Sequence, residues 1–436
     1  MNVFENARWI GTDPDWAAPV ITRSFTAGKG RHAKLFITGL GYFHAEVNGR
    51  PVTDQYYLPV ISDYEPRDLS AFIYPLHDTL THRIYYYEFD IARLLQPGEN
   101  TLTIQLAGGF YRQKDRTAEG PVDFGEVLKT LYRLELEGET ILSDGSETQQ
   151  ESAIRRSSLF YGEVVDHTFI PGEGKPVTLL PDPEAELSPA IGTPDRIVDR
   201  IRPALLGKVG EKAIYDAGCG ISGLVEVKTS APAGSRITLR FADRIHEDLS
   251  LDFGSCGSDY ISPAGEAQIQ NDTFITGGGE ETFLPRFVWH AFRYFEVEGP
   301  VDSVEICVIH SDTAVNAEFS SDFEGVNFLF NAYLASQLSN MHGSVPSDCP
   351  HRERLGYTGD GQLCAPAAML MLDSREFYEK WIQDILDCQC KASGHVQHTA
   401  PLMGGGGGHG GWGSAIITVP WAFWQRWGDK AMLEKC

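Results

Sequence analysis

Apolar and polar residues alternate in short runs through roughly the first 310 positions, then recur at every third or fourth position. This change of period divides the chain into a β part and an α part. From Val20 to about Phe169, runs such as RHAKLFITGLGYFHAEVNGRPV, HRIYYYEFDIARLL, TLTIQLAGGFYR and TLYRLELEGETILSDGS read as strands punctuated by turn residues. The Asn48-Gly49 pair is a two-residue hairpin signal, because both central positions of that turn favour φ > 0. These strands predict an accessory β-sandwich or jelly roll over residues 1–170. Residues 171–200 are rich in Pro, Glu and Gly and read as an exposed linker. Alternation returns in LVEVKTS and RITLRFA, predicting a second β-sandwich over 201–312, with a polar, glycine-rich long loop in SLDFGSCGSDYISPAGEAQIQ.

The helical part covers 313–436. FEGVNFLFNAYLASQLSNM spaces its apolar residues as a helix does, with Ser320, Ser321 and Asp322 as candidate N-caps. QLCAPAAMLML reads as a buried helix, and REFYEKWIQDILDCQCKA as an amphipathic one with Glu376, Glu379 and Asp384 on its solvated face. AIITVPWAFWQRWGDKAMLEK starts a fourth.

Composition narrows the function. The 436 residues are 42% hydrophobic and 22% charged, ordinary values for a globular protein with several cores. The net charge of −24 argues against nucleic-acid and anionic-membrane partners, which need basic patches. No basic region followed by an apolar run opens the chain, and no apolar stretch reaches membrane-spanning length, so a cytoplasmic protein is expected. The eight scattered cysteines then read as free thiols.

The candidate chemistry sits in DCPHRERLGYTGDGQ, from Asp348 to Gln362. Three carboxylates (Asp348, Glu353, Asp360) stand among Arg352, Arg354 and Tyr357 in a segment too broken for a plain helix. Paired carboxylates are what glycoside hydrolysis requires: one protonates the leaving oxygen while another serves water or the sugar cation. The alternative is a charged turn, with Asp348 capping at Pro350 and Asp360 capping a helix from Gln362. Other signals are weak. Cys388 and Cys390 with His395 and His398 lack zinc-ligand spacing. The glycine run at Gly404 to Gly408 lacks the Lys-Ser/Thr of a phosphate loop.

The stretch SVPSDCPHRERLGYTGD resembles the catalytic signature of bacterial α-L-rhamnosidases of glycoside hydrolase family 78. FLPRFVWHAFRYFEVEG and GLGYFHAEVNGRPVTDQYYLPVISDYEPR resemble that family's β-domains. The resemblance implies two β-sandwich or jelly-roll domains followed by an (α/α)6 toroid, with about four of its twelve helices present, so the chain is expected to be truncated. It implies Glu353 as general acid in an inverting hydrolysis of terminal α-L-rhamnose, with the general base further along in absent sequence. Asp348, Arg352, Tyr357, Asp360 and Trp412 become candidate contacts for the sugar. Small rhamnosides are the expected substrates, no cofactor is expected, and a structural calcium in a β-domain is allowed by family analogy alone. Where the family often carries an aspartate two residues beyond the tryptophan, Ser414 stands here. Two alternatives remain: another toroidal glycosidase of different sugar specificity, or a non-catalytic carbohydrate-binding protein.

Overall fold

The computed structural model of the chain describes residues 3–28, 32–69, 80–113, 123–262, 264–404 and 410–436. Among these, the first β region forms two sheets. One runs Thr178–Leu180, Trp9–Gly11, Lys129–Leu136, Lys34–Leu40, Arg83–Asp90, Glu186–Pro189, with Glu139–Leu142 paired on Lys129–Leu136. The other runs Lys175–Pro176, Thr148–Gln150, Val20–Ala27, Gly98–Ala107, Tyr42–Val47, Arg50–Pro51. Alternate residues of both sheets, among them Ile21, Leu35, Ile37, Leu102, Ile104, Leu131 and Leu134, share one buried core. Asn48 and Gly49 both take positive φ, at 54° and 71°, and turn Tyr42–Val47 back onto Arg50–Pro51 as their residue types require.

The expected domain borders need two corrections. Residues 171–200 do not run free: Thr178–Leu180 pairs with Trp9–Gly11, Glu186–Pro189 with Arg83–Asp90, and Asp195–Ile201 with Ser303–Ser311. These are edge strands held by backbone hydrogen bonds, so they carry no apolar alternation to betray them. Ile154–Ser158 and Gly162–Asp166, expected in the first domain, join the second one, where Gly162–Asp166 lies parallel to Asn271–Ile275.

The second β region is a ten-stranded hydrogen-bonded sheet, with Arg244–Ile245 and Leu251–Asp252 as a separate two-stranded pair. Its long strand Lys212–Thr229 pairs with His290–Glu298, Ser303–Ser311, Ala204–Val209 and Glu281–Phe283 in turn. The ladder with His290–Glu298 breaks register between Asp216 and Ile221, where Gly218 at φ 90° interrupts the strand. Val225, Val227, Leu239, Phe241, Phe274 and Phe295 fill its core.

The helices follow: α1 (Glu324–Ser339), α2 (Thr358–Met371), α3 (Arg375–Asp387), α4 (Ala415–Trp427) and α5 (Lys430–Lys435). Entry to α1 is not capped by Ser320 or Asp322. Instead Asn327 reaches back, its side chain accepting from the Ser321 amide and donating to its carbonyl, each at 2.8 Å. α1 lies against Lys212–Thr229, while α4 packs on α2 and α3. No helix among the described residues is long and apolar enough to cross a membrane.

Helix α3 also corrects a sequence reading. Asp384 is buried, not solvated, and accepts from Lys380 Nζ at 2.6 Å. Lys380 donates further to the Ile61 carbonyl of the first β-domain at 2.5 Å. One turn on, Asp387 takes a bidentate grip from Arg83, at 2.7 and 3.0 Å. Glu376 and Glu379 stay at the surface as expected, whereas Asp384 and Asp387 dock α3 on the jelly roll as desolvated charges, which sequence periodicity cannot distinguish from exposed ones.

Candidate active site

The signature segment leaves α1 through the short hairpin Met341–His342 and Val345–Pro346 and enters α2. Its start is pinned by Asp195. That buried carboxylate accepts from the Gly343 amide at 2.9 Å, the Ser311 hydroxyl at 2.8 Å and His342 Nδ1 at 3.2 Å. The loop then closes on itself: the Asp348 amide donates to the Leu355 carbonyl at 3.0 Å, and the Leu355 amide approaches Asp348 Oδ1 at 3.4 Å. Asp348 thus fastens the loop it begins, in place of capping at Pro350.

This closure brings Asp348 and Glu353 side by side. With Cys349, each offers an atom within 4.8 Å of the others'. The Asp348 carboxyl is pushed up to about 7, first by burial, then by the Glu353 carboxyl beside it. Burial and the neighbouring carboxylate therefore make Asp348 a carboxyl that keeps its proton further towards neutrality than an exposed one does. Glu353 is buried, with the Arg352 guanidinium 3.0 Å from Oε1 and the Tyr260 hydroxyl donating to the same oxygen at 3.3 Å.

The two arginines of the segment divide, one turning away from the pair and one joining it. Arg354 turns away, at φ 60°, donating to the Trp289 carbonyl at 2.7 Å and Gln270 Oε1 at 3.0 Å. Burial lowers this guanidinium to about 10. Arg352 instead engages Glu353 itself, because its stem packs on Gly257 and its carbonyl accepts from Gln268 Nε2 at 2.8 Å.

Helix α2 begins at Thr358, so Asp360 lies exposed in its first turn and is no cap for a helix from Gln362. A carboxylate there still favours the helix through the dipole. Tyr357 precedes the helix, half-buried and bridged to Thr399, and the Thr358 amide donates to the His398 carbonyl at 2.7 Å. The chain at 398–399 thus supports the entry to α2, and His398 packs against Trp412 with ring centroids 5.4 Å apart.

Trp412 stands in a 3-10 turn, Gly411–Ser414, 40% exposed. Its indole covers Gly359: a β-carbon there would fall 2.4 Å from Cε2. Trp412 and Asp360 therefore meet at the first turn of α2. Ser414 donates to Gln362 Oε1 at 2.8 Å, so the position where the family often has an aspartate serves α2 packing here. Within the glycine run at 404–411, residues 405–409 lie outside the described residues.

Sequence reasoning missed Tyr260 and Gln268, which belong to the polar long loop of the second β-domain. Nothing in their spacing announces a contact 93 residues away with Glu353. Metal chemistry finds little here. Among the described residues, two groups bring three donor atoms together, Asp243/Cys256/His351 and Asp348/Cys349/Glu353. Neither offers the six or more oxygens a calcium takes. Cys388 is buried at the end of α3, and the Cys390 amide donates to the His395 carbonyl.

A β-rich half leads into helices, and the first loop between them presents a partly buried carboxyl pair, an arrangement that suits a multidomain glycoside hydrolase. Family models agree along the chain: residues 28–173 match an α-L-rhamnosidase N-terminal domain, 208–315 a bacterial α-L-rhamnosidase concanavalin-like domain, and 315–436 a bacterial α-L-rhamnosidase six-hairpin glycosidase domain. The chain belongs to the bacterial α-L-rhamnosidase family. It is 29% identical over 432 residues to an α-L-rhamnosidase of Streptomyces avermitilis, covering 92% of this chain and 39% of that one. The crystal structure of the Streptomyces avermitilis α-L-rhamnosidase complexed with L-rhamnose superposes with a TM-score of 0.85 at 29% identity, over 97% of this chain and 41% of that one. An α-L-rhamnosidase from Dictyoglumus thermophilum gives 0.83 at 28% identity, over 99% of this chain and 50% of that one. The chain thus spans half the length, or less, of these relatives.

Proposed function

We propose that this family member acts in the inverting hydrolysis of terminal α-L-rhamnose from small rhamnosides, with Glu353 as the proton donor to the leaving oxygen. The observation that carries the reading is the Asp348–Glu353 pair, two carboxyls brought within 4.8 Å of each other inside the stretch that matches the six-hairpin glycosidase domain. Asp348, once ionised, and Asp360 accept hydrogen bonds from sugar hydroxyls. Trp412 offers its half-exposed ring, with Tyr357 beside it, to the C–H face and C6 methyl of a 6-deoxy sugar. Arg352, already at Glu353, donates to the sugar or the leaving oxygen.

Inversion needs a second carboxylate about 6.5–9.5 Å from the acid, opposite the sugar. Helix α3 is a poor source: Asp384 is sealed by Lys380 and Asp387 by Arg83. We place the base in the portion of the relatives that the match does not reach, on the later helices of an (α/α)6 toroid. Phe328, Leu329, Leu363, Leu370, Ile417 and Trp421 are exposed along α1, α2 and α4, the faces such helices would cover. The chain by itself is then a sugar-binding module with little turnover.

Calorimetric titration of the chain with L-rhamnose and, separately, L-mannose tests the binding half of this proposal. L-Rhamnose binds, the 6-hydroxylated sugar binds more weakly, and Trp412→Ala weakens L-rhamnose about tenfold, the worth of one aromatic contact. Equal affinity for both sugars, or none for either, contradicts it.

A further inference from the structure

The loop that reads as an irregular insertion of the second β-domain, residues 250–270, is built around the signature segment. His351 Nε2 meets the Ser255 carbonyl at 3.0 Å, and the Arg352 carbonyl accepts from Gln268 at 2.8 Å. The Arg352 guanidinium lies 5.8 Å from the Tyr260 ring centroid, and the Tyr260 hydroxyl reaches Glu353 Oε1 at 3.3 Å. The loop itself is held: the Cys256 thiol donates to Asp243 Oδ1 at 2.7 Å and the Ser255 hydroxyl to Oδ2 at 3.0 Å, while the Gln268 amide donates to the Tyr260 carbonyl at 2.9 Å. Tyr260 is thus a supported donor aimed at one oxygen of the carboxyl pair.

We infer that Tyr260 is a positioning residue for the carboxyl pair: together with Arg352 it holds Glu353 Oε1 as a hydrogen-bond acceptor, and so directs a proton carried by the pair to Asp348 until substrate arrives. The chemistry has one direction. A phenol O–H and a guanidinium both favour a charged oxygen, and both address Oε1 of Glu353. Asp348 faces Glu353 and Cys349, and it is the member whose affinity for the proton is raised. The other charged groups around the pair are Asp259, behind Tyr260, and His351, which burial keeps neutral. Arg354 is directed elsewhere, at Trp289 and Gln270. When a leaving oxygen takes the place of one donor, the proton passes from Asp348 to Glu353 and on to that oxygen. No net proton is gained or lost within the pair before cleavage. A β-domain residue would in this way set the pH at which the helical domain can act.

This inference rests on the proposed function for what the proton is used for, and its test does not need turnover. Carboxyl carbons are labelled with carbon-13 in Asp and Glu, and the pair's resonances are assigned with Asp348→Asn and Glu353→Gln. Their titration is then followed by NMR in the wild type and in Tyr260→Phe, which keeps the ring and loses only the hydroxyl. Losing a donor to the charged form raises the pair's apparent pKa by about half a unit to one unit, and moves protonation from Asp348 towards Glu353. Ser255→Ala, which removes the hydroxyl that ties the loop to Asp243 and involves neither Arg352 nor the carboxyl pair, leaves the midpoint in place and reports on any general effect of loop disorder. An unchanged midpoint in Tyr260→Phe, or an equal shift in both variants, overturns the inference. Should the predicted shift appear while L-rhamnose fails to bind, the positioning role stands and the proposed function falls.

Discussion

Gly359 and Gly361 lie two residues apart in the first turn of α2, and the same substitution at each has opposite consequences. A β-carbon at Gly359 would fall 2.4 Å from Cε2 and 2.5 Å from Nε1 of Trp412. A β-carbon at Gly361 would fall 2.2 Å from Cη2 of Trp381 and 3.1 Å from Pro346. Comfortable carbon contacts lie near 3.5–4.0 Å, so each indole would have to retreat by more than about 1 Å. Trp412 can do so, because it is 40% exposed and sits in a short 3-10 turn. Trp381 cannot: it is fully buried, and its Nε1 donates to the Ala400 carbonyl at 3.0 Å. Gly359→Ala therefore sets the loss of one aromatic contact against the helix gain of about 1 kcal/mol for replacing glycine, and stability stays within about 1 kcal/mol. The displaced indole leaves the sugar site, and L-rhamnose affinity drops about tenfold. Gly361→Ala overpacks the core and costs about 2–3 kcal/mol or more. Urea unfolding followed by tryptophan fluorescence reads the first quantity, and calorimetric titration with L-rhamnose the second. Equal destabilisation by both variants would refute the packing argument. Unaltered affinity in Gly359→Ala would refute the placement of Trp412 in the site.

The seam between α3 and the jelly roll gives two more tests. Lys380→Met strips Asp384 of its cation inside the core. Burial raises the Asp384 carboxyl to about 7 even with Lys380 drawing it down, well above its unfolded value near 3.9, and the variant raises it further, so the folded form binds the proton more tightly still. That stabilising contribution is complete at low pH and drains away as pH rises through about 7. Chemical denaturation should then find Lys380→Met close to wild type at pH 5 and weaker by about 3–5 kcal/mol at pH 9, and a deficit independent of pH contradicts the buried-pair account. Arg83→Met leaves Asp387 desolvated without its bidentate partner, and about 3–5 kcal/mol of coupling between the jelly roll and the helices is lost. Calorimetric melting would show the helical domain unfolding earlier, whereas an unchanged melting profile would mean that the seam holds nothing.

How far the sequence reveals these features depends on the range of the interaction. The Asn48-Gly49 turn and the periods of α1 and α3 follow from neighbours in sequence, and the observed elements Tyr42–Val47, Glu324–Ser339 and Arg375–Asp387 lie where those periods put them. Asp348 and Glu353 are legible as a pair because one short loop carries both. The edge strands at 178–180 and 186–189 are invisible, since each is short and backbone pairing with a distant strand, rather than an alternating apolar face of its own, defines it. Asp384 reads as solvated because a buried ion pair and an exposed one have the same helical spacing. Tyr260 is the sharpest case. Its partner lies 93 residues away in another domain, and the intervening sequence holds no local constraint that could bring them together.

The central claim is that Glu353 gives its proton to a rhamnoside leaving group and that the opposing base comes from the length the relatives have beyond this match. Nitrophenol release from an aryl α-L-rhamnopyranoside tests it, comparing the chain, a form extended over that length, and Glu353→Gln in the extended form. Turnover is expected in the extended form alone, at least about a thousandfold lower with Glu353→Gln, an effect of the size seen when a proton donor and its charge are lost together. Comparable turnover by the present chain, or an extended Glu353→Gln variant as active as its parent, would contradict it.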